Sequence, residues 1–334
     1  MKLAVLGAGA WGTALAATLA KRHAVTLWTR NAEQCRQMRT TRINQRYLPN
    51  VPLPAELEII SDPIEAISKS DAVIVAVTVA ALRETLRIVA ASERPLSVVW
   101  LCKGFEAGSA RFPHQVAAEE LPPDFSCGVL SGPSFAQEVA RGSPVAVTLA
   151  SAKADFAAQM ALELHSRRLR VYSSQDVIGV ELGGAVKNVM AIAAGICDGL
   201  GFGESARAAL VTRGLAEMTR LGLALGGKFE TFTGLSGAGD LILTCTGTLS
   251  RNRQVGLKLA QGQSLETTLN DLGHVAEGVH SAREVLKISR SVHADMPIVE
   301  AVCGVLFNDL SPQDAVERLL SRDPKPEHLV SQPG

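Results

Sequence analysis

The sequence has no excess of charge of either sign, since its 334 residues carry 33 Lys and Arg against 33 Asp and Glu. It also has no uninterrupted apolar run of about 18 residues, the length that a transmembrane helix requires. A balanced charge argues against recognition of nucleic acid or of an anionic membrane by bulk charge, although it allows a local basic pocket. We therefore expect no nucleic-acid partner and no integral membrane segment.

The six cysteines include no CxxC pair, and the seven histidines form neither an HxxxH nor an HExxH pattern. Zinc sites commonly use such spacings, and six scattered cysteines in 334 residues do not form the dense disulfide framework of a small secreted domain. We therefore predict no metal site, and we expect the cysteines to be small apolar residues in a reducing compartment.

The apolar start of the chain superficially resembles a signal peptide, but its glycine-rich turn interrupts the apolar run. We therefore expect a cytoplasmic protein.

Apolar strands alternate with helical patterns in the first half of the chain. Runs typical of strands occur at 2–6, 24–28, 72–77, 97–101, 127–131, 144–150 and 169–172. Strands separated by helices indicate a parallel sheet that is covered on both faces. From about residue 176 the strand pattern fades, and long helical patterns follow.

These patterns predict an α/β fold with two domains. Residues 1–175 are expected to form a doubly wound, Rossmann-type, mostly parallel sheet that binds a dinucleotide. Residues 176–334 are expected to form an all-α domain that carries substrate and catalytic residues, with a flexible tail at 323–334. The Pro-rich polar segment 39–57 is expected to be an irregular connection.

The stretch GAGAWG follows the first predicted strand directly and opens the first predicted helix. Its Gly7, Gly9 and Gly12 match the GxGxxG pattern of dinucleotide sites. In that pattern the glycines allow a tight turn, close approach of a pyrophosphate to the helix N-terminus, and close helix–strand packing. The position after a short strand favours a dinucleotide site over a glycine-rich turn without a ligand.

The second predicted strand ends in Trp28-Thr29-Arg30-Asn31 and lacks the acidic residue that holds the ribose 2′-hydroxyl of NAD. Arg30 is either a contact for the 2′-phosphate of NADP or a solvated surface charge. The predicted cofactor is therefore NADP or NAD, and the preference between them stays open.

Two further predicted strands end in the polar segments Cys102-Lys103-Gly104 and SGPSFA at 131–136. Ligands of parallel sheets bind beyond the carboxyl ends of the strands. Lys103 and Ser134 are therefore either residues that face the same crevice as GAGAWG or ordinary loop caps. The spacing is not GxSxG, so polar contacts to substrate or nicotinamide are favoured over a nucleophilic serine.

Lys187 is the only formal charge between residues 181 and 198 of an apolar helical stretch. A buried ammonium is costly unless it is paired or loses its proton. Lys187 therefore either reaches water through its long stem or is a desolvated lysine with a chemical role. Its helical neighbours Gly183 and Gly184 leave room for another backbone or for a ligand.

The segment 234–256 brings Asp240 and Thr244 close in sequence to SRNR at 250–253. Arg and Asn side chains suit a phosphate anion, although the two arginines also fit a solvated helix face. Asp240 is either a helix cap or the carboxylate that orients Lys187.

GAGAWGTALA, LCKG, SGPSFA, ELGGAVKNVMAIAAGICDGLGFG, RGLAEMTRLG, GLSGAGDLILTCTGTLSRNR and HVAEG occur in this order across nearly the whole chain. Together they resemble the NAD(P)-dependent sn-glycerol-3-phosphate dehydrogenases of the soluble bacterial type. The resemblance implies reversible reduction of dihydroxyacetone phosphate, a phosphorylated triose, in support of glycerophospholipid synthesis. A homodimer is expected from the prevalence of symmetric dimers.

The resemblance also implies roles for individual residues, with Lys187 as the catalytic proton donor and acceptor. Substrate contacts are predicted for Lys103, Gly132, Ser134, Lys187, Asn188, Asp240, Thr244, Ser250, Arg251 and Asn252. Cofactor contacts are predicted for Gly7, Gly9, Ala10, Trp11, Gly12, Arg30, Lys103, Ala136, Arg251, Val275 and Glu277.

Two rival functions remain open at this point. One is another dehydrogenase with a Rossmann start and a helical lysine, of the β-hydroxyacid or 6-phosphogluconate type, whose usual motifs fit this chain less well. The other is a non-catalytic NAD(P)-binding sensor, which would keep GAGAWG but would need neither Lys187 nor SRNR.

Overall fold

The computed structural model describes residues 1–272 and 276–323, and the elements named below lie within these ranges. The strands are β1 (Lys2–Leu6), β2 (Ala24–Trp28), β3 (Ile43–Asn44), β4 (Leu48–Pro52), β5 (Glu58–Ile60), β6 (Ala72–Val75), β7 (Ser97–Trp100), β8 (Ser126–Ser131), β9 (Val145–Ala150) and β10 (Leu169–Ser174). The helices among them are α1 (Ala10–Leu19), α2 (Ala32–Thr41), α3 (Pro63–Ser68), α4 (Val79–Ala90), α5 (Pro113–Glu120), α6 (Ala136–Ala140) and α7 (Ala154–Leu164).

The helices that follow are α8 (Val177–Gly199), α9 (Gly203–Ala224), α10 (Phe229–Thr233), a π-helical turn (Leu235–Gly239), α11 (Asp240–Thr246), α12 (Arg251–Ala260), α13 (Leu265–Leu272), α14 (Glu277–Ser291), α15 (Pro297–Phe307) and α16 (Pro312–Leu320). The last strand therefore ends at Ser174, and α8 begins at Val177. The division into two domains at residue 175 stays a prediction, and the predicted flexible tail lies outside the described residues from 324 onward.

Eight strands of the described chain form one sheet in the order β10-β9-β8-β7-β6-β1-β2-β5. Neighbouring strands are parallel except for β8 and β9, which are antiparallel. From β1, the chain first adds β2 and β5 on one side. It then adds β6, β7 and β8 on the other side of β1, so the strand order reverses between β1 and β6. Ligands bind at such a switch point. The predicted doubly wound, mostly parallel sheet is confirmed.

Helices cover both faces of this sheet, which explains the continuous apolar strands. Leu3 and Ile74 belong to the core on one face, whereas Leu6 and Val75 belong to the core on the other. In both β1 and β6, apolar residues that point to opposite faces are buried. A strand that is buried on both sides has no solvated face, so its sequence does not alternate.

The helical part is built around α8. The side chain of Asp176 accepts a hydrogen bond from the backbone N–H of Gly179 at 2.9 Å and so caps the N-terminus of this helix. Residues 179–197 are buried. A Cβ atom at Gly183 would collide with the carbonyl oxygen of Ser236, and one at Gly195 with that of Arg253. The space beside these glycines is therefore filled by neighbouring backbone and not by a ligand.

Among the described residues, α8 is the one helix that is long and apolar enough to cross a membrane by composition. In its most apolar 18-residue window, 89% of the residues are buried inside the fold. Its apolar sequence thus reflects its place at the centre of the helical core.

The prediction that 39–57 is an irregular connection was wrong in part. Strands β3 and β4 form an antiparallel pair there, and β5 adds an edge strand to the main sheet directly afterwards. Prolines at 49 and 52 hide the strand pattern of β4 in the sequence. They are tolerated because β4 pairs with a single neighbour, so one side of it needs no backbone N–H donors.

Candidate active site

The glycine turn between β1 and α1 is shaped to hold a phosphate group. Gly7 has a φ of +122°, and a Cβ atom there would lie 2.5 Å from the carbonyl oxygen of Ala76. A Cβ atom at Gly12 would collide with the carbonyl oxygen of Gly7. By contrast, a Cβ atom at Gly9 would meet nothing within 4 Å, and no side chain caps α1 at this residue. Backbone N–H groups at an uncapped helix start suit a pyrophosphate, so the turn fits a dinucleotide cofactor.

Other predicted cofactor residues surround this turn. Ala10 and Trp11 are the first two residues of α1, and both are half-buried. Ala136 begins α6, which packs beside α1. These three residues therefore lie near the helix start, at the carboxyl edge of β1.

A buried asparagine that the sequence did not reveal forms hydrogen bonds to the glycine turn. The side-chain amide of Asn44 donates to the carbonyl oxygen of Ala8 at 2.9 Å and to the hydroxyl of Thr13 at 2.8 Å. Gln34 donates to the same carbonyl oxygen at 3.2 Å. Asn44 lies in the segment that was predicted to be irregular, where no motif or periodicity distinguishes it.

Arg30 lies just beyond β2, beside the crevice, and its side chain is exposed. It makes no hydrogen bond or ion pair with any residue in the described ranges. The next residue, Asn31, caps α2 by accepting a hydrogen bond from the N–H of Gln34 at 3.0 Å. Arg30 is therefore not committed to another partner of the fold and remains a candidate contact for a 2′-phosphate.

We expect Arg30→Ala to raise the KM for NADPH by about 10-fold or more and to leave the KM for NADH nearly unchanged. A hydrogen bond to a charged group contributes about 1.5 to 3 kcal/mol, which corresponds to this factor. Initial rates with both cofactors test the prediction. The matched control is Arg36→Ala, because Arg36 is an exposed arginine of α2 that pairs with Glu33. An unchanged preference in Arg30→Ala would rule out this contact.

Two lysines share one buried carboxylate at the centre of the site. The Lys187 ammonium lies 2.5 Å from Oδ1 of Asp240, and the Lys103 ammonium lies 2.7 Å from Oδ2. Asp240 is 1% exposed and Lys187 is 7% exposed, so Lys187 does not carry its charge to bulk water. The alternative of a lysine that merely reaches solvent is thereby excluded.

Three separate elements bring these groups together. Lys103 follows the carboxyl end of β7, Lys187 lies in the middle of α8, and Asp240 begins α11 after the π-helical turn. A Cβ atom at Gly184 would lie 3.2 Å from Cγ of Lys103, so this glycine lets the lysine stem cross the helix surface.

The electrostatics of the cluster make Lys187 suitable for proton transfer. Burial lowers the pKa of Lys187 from 10.5 to about 8, while the Asp240 carboxylate opposes the shift and the Lys103 charge adds to it. With both lysines protonated, the three side chains carry one net positive charge. A polar group with a pKa near neutrality exchanges a proton readily at physiological pH.

A second cluster joins α8, α12 and α14. The Asn252 amide nitrogen donates to Oδ1 of Asn188 at 2.9 Å, and the backbone N–H of Gly278 donates to Oδ1 of Asn252 at 3.0 Å. Asn188 contributes its Oδ1 atom to this cluster, and its Nδ2 atom donates to no residue in the described part of the chain.

The N-terminus of α12, next to this cluster, carries positive charge that favours anions. The Ser250 hydroxyl caps the helix by accepting from the N–H of Arg253 at 3.3 Å, and Arg251 is the exposed first residue. The positive end of the helix macrodipole and the Arg251 guanidinium act together there. Arg253 belongs to a different group, because it pairs with Asp198 at 2.6 Å.

The remaining predicted site residues lie on different elements, and some of them bond to nearby backbone. Gly132 follows β8 with a φ of +142°, and the Ser134 hydroxyl donates to its carbonyl oxygen at 3.1 Å. The Thr244 hydroxyl donates back to the carbonyl oxygen of Asp240 at 2.6 Å. Glu277 begins α14, and burial raises the pKa of its carboxyl while the Arg251 charge opposes the shift. Val275 lies outside the described residues.

No cluster of three or more His, Cys, Asp or Glu side chains in residues 1–272 and 276–323 is arranged to hold a metal ion. All six cysteines are free thiols, and five of them are buried. Burial raises the pKa of Cys245, near the lysine cluster, to about 12. This thiol is therefore protonated and behaves as a small apolar residue.

Comparison with known families identifies the chain. The family model for the N-terminus of NAD-dependent glycerol-3-phosphate dehydrogenase matches residues 2–157, and that for the C-terminus matches residues 176–317. The chain belongs to the NAD-dependent glycerol-3-phosphate dehydrogenase family. The predicted resemblance to glycerol-3-phosphate dehydrogenases is thus confirmed, as is the prediction of an NAD(P)-dependent oxidoreductase.

Relatives of this glycerol-3-phosphate dehydrogenase family match the chain over nearly its full length. Glycerol-3-phosphate dehydrogenase [NAD(P)+] of Nitrosospira multiformis is 57% identical over 98% of this chain and 99% of its own length. The protein of the same name from Thiobacillus denitrificans is 57% identical over 98% and 100%.

Solved structures agree with this assignment. The crystal structure of glycerol-3-phosphate dehydrogenase from Coxiella burnetii superposes with a TM-score of 0.92 at 41% identity, covering 96% of this chain and 99% of that one. D-Mandelate dehydrogenase, at 14% identity and a TM-score of 0.62, shares the fold alone.

Proposed function

We propose that this chain interconverts dihydroxyacetone phosphate and sn-glycerol 3-phosphate with NADP(H) or NAD(H), and that Lys187 is its general acid and base. The buried ion pair of Lys187 with Asp240 carries the proposal, because it lies where the carboxyl ends of the parallel strands meet α8. The names of the relatives, glycerol-3-phosphate dehydrogenase [NAD(P)+], support the substrate and the cofactor.

Lys187 moves the proton in this mechanism. When bound, the nicotinamide supplies a hydride to the carbonyl carbon or takes it back. As the substrate oxygen gains negative charge, the Lys187 ammonium donates its proton to it, and in the reverse direction the neutral amine accepts that proton. Asp240 holds the nitrogen in place through its Oδ1 atom, while Lys103 on Oδ2 adds a second positive charge to the pocket.

The phosphate of the substrate is proposed to bind at the start of α12. Arg251 and the helix N-terminus supply positive charge there, and Asn188 offers its Nδ2 donor from α8. Anchoring the phosphate would orient the carbonyl carbon and thereby lower the entropy cost of the reaction. Ser250, Asn252, Gly132, Ser134 and Thr244 complete the proposed substrate side.

The cofactor is proposed to occupy the crevice between β1 and β6. The glycine turn takes the pyrophosphate on the start of α1, as its open space in front of Gly9 suggests. The places of Ala10, Trp11 and Ala136 around that turn support their proposed roles as cofactor contacts. Glu277, at the start of α14, is the proposed contact from the helical part.

The rate profile with pH tests this function. We expect kcat/KM for reduction of dihydroxyacetone phosphate to fall as the pH rises through about 8, because Lys187 loses the proton that it must donate. In the reverse direction, kcat/KM for oxidation of sn-glycerol 3-phosphate is expected to rise over the same interval. Oxidation and reduction of the nicotinamide are followed by absorbance.

Phosphate-free dihydroxyacetone is the matched control substrate, and it should be reduced poorly because it lacks the anchoring group. Cofactor binding without turnover of either substrate would instead indicate a non-catalytic sensor. A profile that does not change through pH 8 would exclude Lys187 as the proton donor.

The compartment, oligomeric state, metabolic role and domain division of the enzyme are proposed as well. Free thiols in every cysteine support a reducing, cytoplasmic compartment. A homodimer follows the general prevalence of twofold symmetry. The product sn-glycerol 3-phosphate is proposed to supply glycerophospholipid synthesis, and residues 1–175 and 176–334 are proposed as the two domains.

A further inference from the structure

A second buried acidic residue, Glu181, lies outside the lysine cluster and has a full set of partners. Its Oε1 atom accepts from the indole nitrogen of Trp100 at 2.8 Å and from the backbone N–H of His114 at 3.0 Å. Its Oε2 atom lies 2.6 Å from Nδ1 of His114. The Glu181 side chain is 1% exposed, whereas that of His114 is 29% exposed, so the carboxylate end of the network is buried and its imidazole end reaches the surface.

The two partners of Glu181 lie at opposite ends of the loop that carries Lys103. Trp100 is the last residue of β7, and His114 is the second residue of α5. Residues 101–112 connect these elements and include Lys103. One carboxylate on α8 therefore holds both the entry and the exit of the Lys103 loop.

Glu181 also lies on the helix that carries Lys187. Glu181, Gly184 and Lys187 follow one another at intervals of three residues, and residues at this spacing are neighbours on a helix surface. Glu181 binds the end of β7, and Gly184 makes room for the stem of Lys103. The hydrogen bond between Glu181 and Trp100 thus joins α8, which carries Lys187, to β7, which leads into Lys103. These are the elements that bring both ammonium groups to Asp240.

The network has physical reasons to be rigid. Pro113 is the first residue of α5, so the N–H of His114 is one of the helix donors that lack an intrahelical acceptor, and Glu181 supplies that acceptor. The Phe105 and Phe112 rings pack edge to face at 4.9 Å within the loop region. Burial raises the pKa of Glu181, and the hydrogen bonds from His114 and Trp100 oppose this shift.

We propose that Glu181 and His114 are positioning residues for the reaction: they fix the Lys103 loop against α8 so that Lys103 and Lys187 share Asp240. The inference rests on the proposed role of Lys187. It assigns no contact with substrate or cofactor to either residue. Their effect on the rate acts through the spacing of the two lysines.

Steady-state kinetics of His114→Ala provide the first test. This variant keeps the backbone N–H but removes the ring that binds Oε2 of Glu181. We expect kcat for reduction of dihydroxyacetone phosphate to fall by about 10- to 100-fold, the size typical of a small misplacement of catalytic groups. The KM for the nicotinamide cofactor should stay close to that of the unaltered enzyme, whereas the melting temperature should fall because the buried Oε2 atom of Glu181 loses its partner.

Two further variants separate positioning from a general loss of structure. His114→Asn places an amide donor near the former Nδ1 position and should recover most of kcat. The control His23→Ala removes a histidine whose ring binds the carbonyl oxygen of Glu163. His23 lies before the amino end of β2, whereas Lys103 follows the carboxyl end of β7. An unchanged kcat in His114→Ala, or an equal loss in His23→Ala, would overturn the proposal.

A double-mutant cycle distinguishes failure of this inference from failure of the proposed function. If His114 acts through Lys187, adding His114→Ala to Lys187→Ala should lower kcat no further. Losses that multiply would contradict positioning, even if Lys187→Ala by itself is nearly inactive. Nearly normal turnover of Lys187→Ala would instead refute the acid and base role of Lys187, on which the inference depends.

Discussion

Lys187→Ala is expected to lower kcat for reduction of dihydroxyacetone phosphate by about 100- to 10,000-fold, the usual contribution of a general acid. The alanine variant has no proton to give to the substrate oxygen, and the remaining Lys103 is bound to the far oxygen of Asp240. Binding of NADPH should persist, because the glycine turn lies between β1 and α1 and does not include Lys187. Stopped-flow or steady-state kinetics together with a cofactor titration measure both quantities.

The Lys187→Ala enzyme should also remain folded, since Asp240 keeps Lys103 as a partner at 2.7 Å. The matched control is Lys69→Ala, which removes an exposed lysine that pairs with Glu65 on α3 and should change neither rate nor stability. Turnover within a factor of about two of the unaltered enzyme would exclude Lys187 as the proton donor.

Asp240→Ala is expected to cost about 3 to 5 kcal/mol in the free energy of unfolding, which is the usual result of removing one partner from a buried ion pair. The substitution leaves the Lys103 and Lys187 ammonium groups close together without their shared counter-charge. The pKa of Lys187 should then fall below about 8, because burial and Lys103 lower it while the opposing attraction of Asp240 is lost. Urea denaturation measures the loss of stability.

The loss in Asp240→Ala should depend on pH in a defined direction. Since the pKa of Lys187 is lower in the folded than in the unfolded protein, the folded state binds fewer protons in the interval between the two values. Stability therefore rises with pH across this interval, and the deficit of Asp240→Ala should shrink once Lys187 is neutral. A deficit that is constant with pH would contradict the charge explanation.

Asp240→Asn and a double variant sharpen this test. Asn keeps the shape and one acceptor oxygen but removes the negative charge, so it should retain part of the stability and little of the activity. Adding Lys103→Met to Asp240→Ala removes one of the two like charges and should recover part of the lost stability. If the double variant is less stable than Asp240→Ala, repulsion between the lysines is not the cause.

The parts of the fold that depend on neighbours in sequence were predictable. The glycine turn was assigned from Gly7, Gly9 and Gly12 directly after a short apolar strand, and the structure explains each position by backbone contact or open space. The start of the helical half at about residue 176 was likewise visible in the sequence, and in the structure Asp176 caps α8. Local sterics and capping act over a few residues, so a local pattern reveals them.

Other features could not be predicted in this way. Asn44, under the glycine turn, lies in a segment without periodicity, and its hydrogen bonds reach residues 36 and 31 positions away. Gly183 and Gly184 were expected to leave room for a backbone or a ligand, and in the structure the backbone of Ser236 lies beside Gly183 and the Lys103 stem beside Gly184. Arg253 looked equivalent to Arg251 in sequence, yet it faces Asp198.

By itself, the sequence determined the doubly wound sheet, the helical second half, the glycine turn between β1 and α1, and the unusual status of a lysine in an apolar helix. Only the tertiary structure decided the partners of that lysine, because Asp240 is 53 residues from Lys187 and 137 residues from Lys103 along the chain. It alone also placed Glu181 at both ends of the Lys103 loop. Hydrogen bonds and ion pairs act over a few ångströms, so the residues that form them are chosen by the path of the folded chain.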